Sequence, residues 1–346
     1  METPQFLDML TQPAFLVRDG SIAYVNPAAA GCLLEPGMAI ADLLLTGREE
    51  YAALEGGTLC LQLQQGASLW SAAVTRSADG DLFLLDFPQE DPALQALSLA
   101  AMDLRAPLSG AMQEAELLLK ALPQDQALDA ARLKRSLYRL LRRVGNMSDA
   151  ARYQETLHSA PELRDICSLL DEIFEKAAAM AETAGVTLRY KALGESHICP
   201  VDAERLERAV YNLIANAAKF SEPGAIIEAT LRRRGRTLVL TVSDSGSGIP
   251  AALQGQLYSR YRRQPGLEDP RHGLGLGMVL IRAAAAAHGG TVLLETTDAG
   301  TRVSLTFSLA QPVGQLRSPL LRIDYAGELD HSLVELSDLL PPEAYL

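Results

Sequence analysis

The chain has 346 residues, 48% of them apolar, with 31 basic and 43 acidic side chains and a formal net charge of −12. That length accommodates two or three domains, each able to bury a core, and the acidic balance excludes a general nucleic-acid binder, which needs a basic footprint. The four cysteines, Cys32, Cys60, Cys167 and Cys199, form no CxxC pair and have no neighbouring histidine at metal spacing, so they read as separate reduced thiols. The stretch METPQFLDMLTQPAF lacks the charged start and long apolar centre of a signal peptide. The longest apolar run, MVLIRAAAAAHGG, contains Arg282 and is too short to cross a bilayer. A soluble, cytoplasmic protein without a membrane span is expected.

Residues 1–90 alternate short apolar runs with turn signals. AFLVRDGSIAYVN predicts a hairpin around Asp19-Gly20, and Asp79-Gly80 predicts a second turn of the same kind before DLFLLDF. Between them NPAAAGCLL predicts a short helix capped by Asn26 with Pro27 at its first position. The expected result is a small antiparallel sheet flanked by helices.

Residues 91–157 change period. Leu94, Leu97, Ala101, Leu104, Leu108, Ala111, Ala115, Leu118 and Leu122 recur at steps of three and four; after LPQDQ a second stripe follows from Leu133 to Ala151. One helical hairpin cannot enclose its own apolar faces, so the expected solution is a four-helix bundle built by two chains, a homodimer through residues 92–155. A basic run from Arg132 to Arg143 decorates the second helix and reads as a solvated face.

Residues 158–312 return to mixed helices and strands, predicting a layered α+β sandwich. A helix is expected over ELRDICSLLDEIFEKAAAMAETAG, ending at Gly185. Three short stretches there carry chemistry. Asn212 and Asn216 lie four apart on one predicted helix with Lys219 a turn further on, so two amides and an ammonium share a face. Amide oxygens suit a hard cation such as Mg²⁺, and the lysine suits a phosphate. DSGSGIP, from Asp244 to Pro250, follows an apolar strand; Gly246 and Gly248 let backbone approach a flat ligand, and the carboxylate can accept from an exocyclic amine. HGLGLGM, from His272 to Met278, opens a helix with alternate glycines whose N–H groups can cradle phosphate. Residues 313–346 offer a possible strand, LLRIDYA, and a possible helix, LDHSLVELSDLL, with no role to assign.

In this order and spacing, the stretches resemble the GHKL ATP-binding domain of sensor histidine kinases. NLIANAAKFS is similar to its N box, DSGSGIP to its G1 box, LYSRYRR to its F box, HGLGLGM to its G2 box, and HGGTVLLETTDAGTRVSLTFSL to its closing strands. The resemblance implies ATP and Mg²⁺ as cofactors. Asn216 and Asn212 would hold the metal, Lys219 and Arg263 would face phosphates and Asp244 would read adenine. Tyr258 takes the aromatic place of the F box, and Gly273, Gly275 and Gly277 would form the nucleotide lid. Arg271 stands where the family usually has a glycine.

By the same resemblance the two amphipathic helices are a dimerisation and histidine-phosphotransfer hairpin, residues 1–90 are a PAS-like sensor domain, and a response regulator is a possible partner. AMDLRAPL (101–108) keeps the hairpin's Asp103, Leu104, Arg105, Pro107 and Leu108, but Met102 stands at the histidine's place. A thioether cannot form a stable phosphoprotein. The five histidines, His158, His197, His272, His288 and His331, all lie outside 92–155. Two readings stay open: a switch that binds Mg²⁺·ATP and signals by conformation, or an enzyme that hydrolyses ATP or transfers its phosphate to another residue or a partner protein.

Overall fold

The computed structural model describes residues 3–86, 92–152, 162–193, 196–249, 276–297, 299–309 and 329–346. After a short helix α1 (Thr3–Asp8), strands β1 (Ala14–Arg18) and β2 (Ser21–Val25) form the expected hairpin. Asp19 and Gly20 have φ of 50° and 75°, the double left-handed turn that matches strand twist and that an Asp-Gly pair tolerates. Asn26 caps the following turn, accepting from the Ala29 N–H at 3.1 Å, but residues Pro27–Cys32 wind as a 3₁₀ helix. Two brief helices, α2 (Ile40–Leu43) and α3 (Arg48–Ala52), lead into β3 (Thr58–Gln65), β4 (Ser68–Ser77) and β5 (Gly80–Asp86). The β4–β5 turn departs from expectation. Ser77 pairs with Gly80, so Ala78 and Asp79 are the central residues and Gly80 opens the strand. At φ 127° Gly80 lies so close to the Val17 carbonyl that a Cβ there would sit 2.5 Å from it.

Helices α4 (Pro92–Lys120) and α5 (Ala127–Arg152) form the hairpin. Ala101, Met112, Ala115, Ala131 and Leu141 are buried, and Met112, Ala131 and Leu141 join the core that includes Phe174 and Tyr211. Among the described residues Leu108, Leu137 and Val144 are also wholly or partly covered within the chain, whereas Leu104, Leu118, Leu122, Leu133 and Leu140 are exposed.

The remaining elements are β6 (Glu162–Asp165), α6 (Ile166–Thr183), β7 (Thr187–Leu193), β8 (Ile198–Val201), α7 (Ala203–Phe220), β9 (Ile226–Arg234), β10 (Thr237–Ser243), α8 (Gly277–Ala287), β11 (Val292–Thr297), β12 (Gly300–Ser308) and α9 (His331–Glu335). The helix expected from Glu162 starts only at Ile166. Residues Glu162–Asp165 pair with β8 as a two-stranded sheet, and Asp165 caps the helix by accepting from the Cys167 N–H at 3.1 Å. Asp165 also accepts from Ser196, Ser168 and the His197 N–H. Burial raises its pKa, but these donors outweigh burial and hold the carboxyl below its ordinary range.

The strand order is β2-β1-β5-β4-β3-β11-β12-β10-β9-β7, so the small antiparallel sheet of the first region continues into the strands of the α+β region. One ten-stranded sheet runs through both regions, antiparallel throughout except for β7 beside β9. The junction is β3 on β11, with Cys60 opposite Val292 and Thr58 opposite Leu294. An ion pair between Asp86 and Arg282 of α8 reinforces it. Beside a small third cluster of Leu7, Ala14 and Leu16, the two larger apolar cores stay distinct. One surrounds Phe15, Trp70 and Phe83; the other packs α6, α7 and α8 on the C-terminal strands around Phe174, Tyr211, Ile214 and Phe307. The strand LLRIDYA lies outside the described residues, and the helix suggested over 329–340 is confined to His331–Glu335.

Candidate functional site

Helix α7 begins where Asp202 accepts from the Arg205 N–H at 3.1 Å, and its apolar stripe buries Leu206, Val210, Leu213 and Ile214 against the sheet. Each such side chain contributes about 1.5–3 kcal/mol when removed from water. That packing fixes the rotation of the helix and therefore where its polar residues point. Asn212 is 2% exposed, its Nδ2 donating to the Arg208 carbonyl at 2.8 Å, so its orientation is set and Oδ1 is turned away from its own backbone.

Gly277, the first residue of α8, abuts both asparagines. A Cβ at that position would lie 3.1 Å from Asn212 Oδ1 and 3.6 Å from Asn216 Nδ2. The structure thus brings Asn212, Asn216 and Gly277 together at the N-terminus of α8, a place where backbone N–H groups favour anions. Lys219 sits a turn further along α7, with Nζ 5.5 Å from the centre of the Phe220 ring.

Asp244 ends β10 and is held on three sides. Its N–H donates to the Thr301 carbonyl at 2.9 Å, and Oδ1 accepts from the Gly246 N–H at 2.9 Å and the Thr301 N–H at 3.2 Å. Burial pushes the carboxyl pKa up, and the two N–H donors only partly counter it. Both named glycines are required sterically. A Cβ on Gly246 would collide with the Phe220 carbonyl at the end of α7, and one on Gly248, at φ 67°, would collide with the Thr297 carbonyl. The loop carrying Asp244 is therefore wedged between the end of α7 and the β11–β12 turn. Thr296 Oγ1 completes the seating by accepting from the Ile249 N–H at 2.7 Å.

Tyr258, Arg263, Gly273 and Gly275 lie outside the described residues. Three contributors escaped the sequence reading. Thr301 and Thr296 carry no motif of their own and matter only through the register that sets β12 beside Asp244. Arg142 of α5 brings Nη2 to 3.5 Å from Asn212 Oδ1, a contact hidden in a basic run that reads as solvent-facing.

Residues 201–311 match the family of histidine kinase-, DNA gyrase B- and HSP90-like ATPases. That match covers about a third of the chain, and residues 201–311 are similar to the family's ATPase domain. Beyond it, the chain is 29% identical over 228 residues to the sensor protein KdpD of Mycobacterium tuberculosis, covering 62% of this chain and 26% of that one. It is 30% identical over 222 residues to the sensor protein IrlS of Burkholderia pseudomallei, covering 63% and 47%. Against the sensor protein DivL of Caulobacter vibrioides the figures are 29% over 198 residues, 56% and 25%. The chain thus spans from a quarter to about half the length of these relatives. Among solved structures, full-length ShkA in complex with AMPPNP superposes with a TM-score of 0.50 at 21% identity, covering 62% of this chain and 45% of that one; this likeness is one of fold. Among the described residues, no helix is long and apolar enough to cross a membrane, and no group of three or more His, Cys, Asp or Glu could hold a metal.

Proposed function

We propose that this chain is a histidine-kinase-like signalling protein that binds Mg²⁺·ATP in its ATPase domain, pairs with a second copy through α4 and α5, and transmits a conformational state without phosphorylating position 102. The observation that carries the nucleotide site is the convergence of Asn212, Asn216 and Gly277, with Asp244 seated by Gly246 and Thr301 at the far end of α7. The donor set fits the metal: two amide oxygens suit Mg²⁺, which keeps waters and phosphate oxygens as its other ligands. The glycine at the start of α8 leaves the space beside Asn212 that any side chain would fill. When bound, Mg²⁺·ATP supplies an activated γ-phosphoryl group. In this chain Asn212 and Asn216 would hold the cation, Lys219 and Arg263 would neutralise phosphate charge, and Asp244 would orient the base by accepting from its exocyclic amine.

Met102 lies on α4 with 43% of its surface exposed. It occupies the acceptor's place on the helix but offers no nitrogen or oxygen to phosphorus. The five-stranded β2-β1-β5-β4-β3 portion of the sheet, with short helices between β2 and β3, supports a PAS-like sensor role for residues 1–90. A response regulator, or another protein carrying its own acceptor, is the partner this reading expects.

The test is incubation of the purified chain with γ-labelled Mg²⁺·ATP, scoring bound nucleotide and acid-labile covalent phosphate separately, with Asp244→Asn as the control. Binding without covalent label, weakened in the control, is the expected result. Label that disappears in His158→Ala would restore a working histidine kinase, and no binding at all would remove the nucleotide site from the account.

A further inference from the structure

Residues 329–346, to which the sequence assigns no role, fold back between the hairpin and the ATPase domain. Glu335 is completely buried and stands between arginines from both. Arg208 Nε of α7 donates to its Oε1 at 3.1 Å, and Arg142 Nε of α5 lies 3.4 Å from its Oε2. Asp338 accepts from Arg139 Nε at 2.9 Å and from Arg142 Nη1 at 3.0 Å. Burial raises the Asp338 pKa, but the nearby arginines, Arg142 foremost, more than reverse that. The apolar side of the segment is as well fixed: Val334, Leu336 and Leu340 are at most 1% exposed, and Tyr345 meets Tyr138 of α5 edge-on at 5.2 Å. His331 adds a contact to Glu207 of α7 at 2.7 Å.

Arg142 is the hinge of this arrangement. Two of its nitrogens pair with carboxylates of the segment, while Nη2 faces Asn212 Oδ1 at 3.5 Å. That oxygen is one of the two assigned to Mg²⁺ above. A guanidinium beside it competes for the lone pair and repels a divalent cation in a partly dry site. Its own position is set by Glu335 and Asp338, which also hold Arg208 and Arg139 and so tie α5 to α7.

We propose that residues 329–346 act as an intramolecular strap, clamping α5 against α7 and holding Arg142 over Asn212, so that Mg²⁺·ATP binds fully only when the strap lets go. This rests on the Mg²⁺·ATP reading of the preceding subsection. The device explains two features together, the buried acidic segment and the part of the basic run on α5 that faces inward. It also gives the hairpin a direct line to the nucleotide site, because any movement of α5 relative to α7 must break or carry the Glu335 and Asp338 pairs.

The experiment compares the full chain with Glu335→Gln, Asp338→Asn and Arg142→Gln, measuring affinity for a fluorescent ATP analogue with and without Mg²⁺, and amide hydrogen exchange across α5 and α7. Expected are faster exchange in α5 for the two strap variants and a gain of about tenfold in Mg²⁺-dependent affinity for all three, the response of a site whose competent state is a tenth populated. Affinity measured without Mg²⁺ should stay nearly constant. Glu335 is wholly enclosed, so if its variant fails to fold, Asp338→Asn, whose side chain is 30% exposed, carries the comparison. Faster exchange with unchanged or weaker Mg²⁺·ATP binding overturns the strap while leaving the nucleotide site standing. Unchanged exchange in the strap variants overturns it as well. If neither the full chain nor any variant binds nucleotide, the underlying reading fails and the strap's gating role falls with it.

Discussion

The helical hairpin and the ATPase domain are built from similar apolar stripes and end in opposite states. In α7 the stripe is closed: Leu206, Val210 and Ile214 are completely buried. In α4 and α5 much of it is open, with Leu118 69% exposed, Leu104 52%, and Leu133 and Leu140 each 50%. Periodicity specifies that a face must be covered, not by what. In α7 a sheet of the same chain supplies the cover; in the hairpin the same chain covers only part, through Met112, Tyr138 and Leu141, and a second copy would bring an identical stripe to the rest. The same contrast separates the chemistry. The polar residues of α7 are oriented by the packing beneath them, whereas Met102 sits on the open helix, where nothing about the fold requires an imidazole.

If that contrast is right, damage to one region should leave the other intact. The largest effect is expected from Leu118→Glu combined with Leu133→Glu. Four leucines per dimer, each contributing about 1.5–3 kcal/mol when buried, imply a loss of association on the order of 10⁴-fold or more. Sedimentation velocity should find a dimer for the parent chain and a monomer for the variant, with nucleotide affinity unchanged. A variant that stays dimeric would mean the open stripe is not the interface. Next comes Gly248→Val, which forces a β-branched residue to φ 67° and into the Thr297 carbonyl. Strain and overlap of a few kcal/mol should cost roughly 100-fold in nucleotide affinity without altering the oligomeric state. Full binding by this variant would mean the Asp244 loop is not part of the site.

Asp244→Asn is smaller and sharper, because it separates binding from folding. The asparagine keeps an oxygen for the Gly246 and Thr301 N–H groups but loses the charge that burial disfavours. Since the folded-state pKa of Asp244 lies above its ordinary value, ionisation costs stability as pH rises through that pKa. The variant should therefore be as stable as the parent at pH 7, or more so. Nucleotide affinity should nevertheless drop about 10- to 100-fold, the value of a hydrogen bond to a charged acceptor. In the parent, affinity should begin to fall on acidification at a higher pH than an ordinary carboxylate would dictate. Equal loss of stability and binding would mark Asp244 as structural.

Much of this was legible before any coordinates. Asn212 and Asn216 share a helix face as their spacing implies, because the stripe beside them is apolar and must face a sheet; the approach of Gly277 to both comes from the packing of α8 on α7, which spacing does not encode. The Asp19-Gly20 turn was legible for a similar reason: both φ values are positive, and only such residue pairs tolerate that. What escaped was long-range. Nothing within Thr58–Cys60 says that the strand will pair with Val292–Leu294, since strand partners are chosen across the chain. Arg142 and Glu335 are 193 residues apart, and each alone reads as a surface charge. The helical pattern of the sequence runs smoothly back through Glu162–Asp165, but Asp165 caps α6 by accepting from the Cys167 N–H, and four pairings to β8 hold those residues extended.

The smallest expected effect tests how the ATPase domain holds its own helices. His288 follows α8, with Nδ1 2.7 Å from the Ala284 carbonyl and Nε2 accepting the Asp202 N–H at 3.0 Å. The first contact needs a proton on Nδ1 and the second a lone pair on Nε2, so the ring is useful only when neutral. Burial depresses its pKa below the ordinary 6.5, outweighing the Ala284 carbonyl and the Asp202 charge. A depressed imidazole pKa means that the unfolded chain takes up the proton first. The stability this residue provides is complete above about pH 6.5 and is lost as pH falls from there toward the folded-state value, at up to about 1.4 kcal/mol per unit. Replacing it by His288→Gln should cost roughly 1 kcal/mol in urea unfolding at pH 7.5 and less at pH 5.5, so that the two stability curves converge on acidification. Parallel curves would show that the ring is not titrating between those pH values. Because Asp202 also caps α7, a loosened His288 should be felt at the start of the helix that carries Asn212, and the same variant should show faster amide exchange in the first turn of α7 while the α4–α5 hairpin exchanges as before.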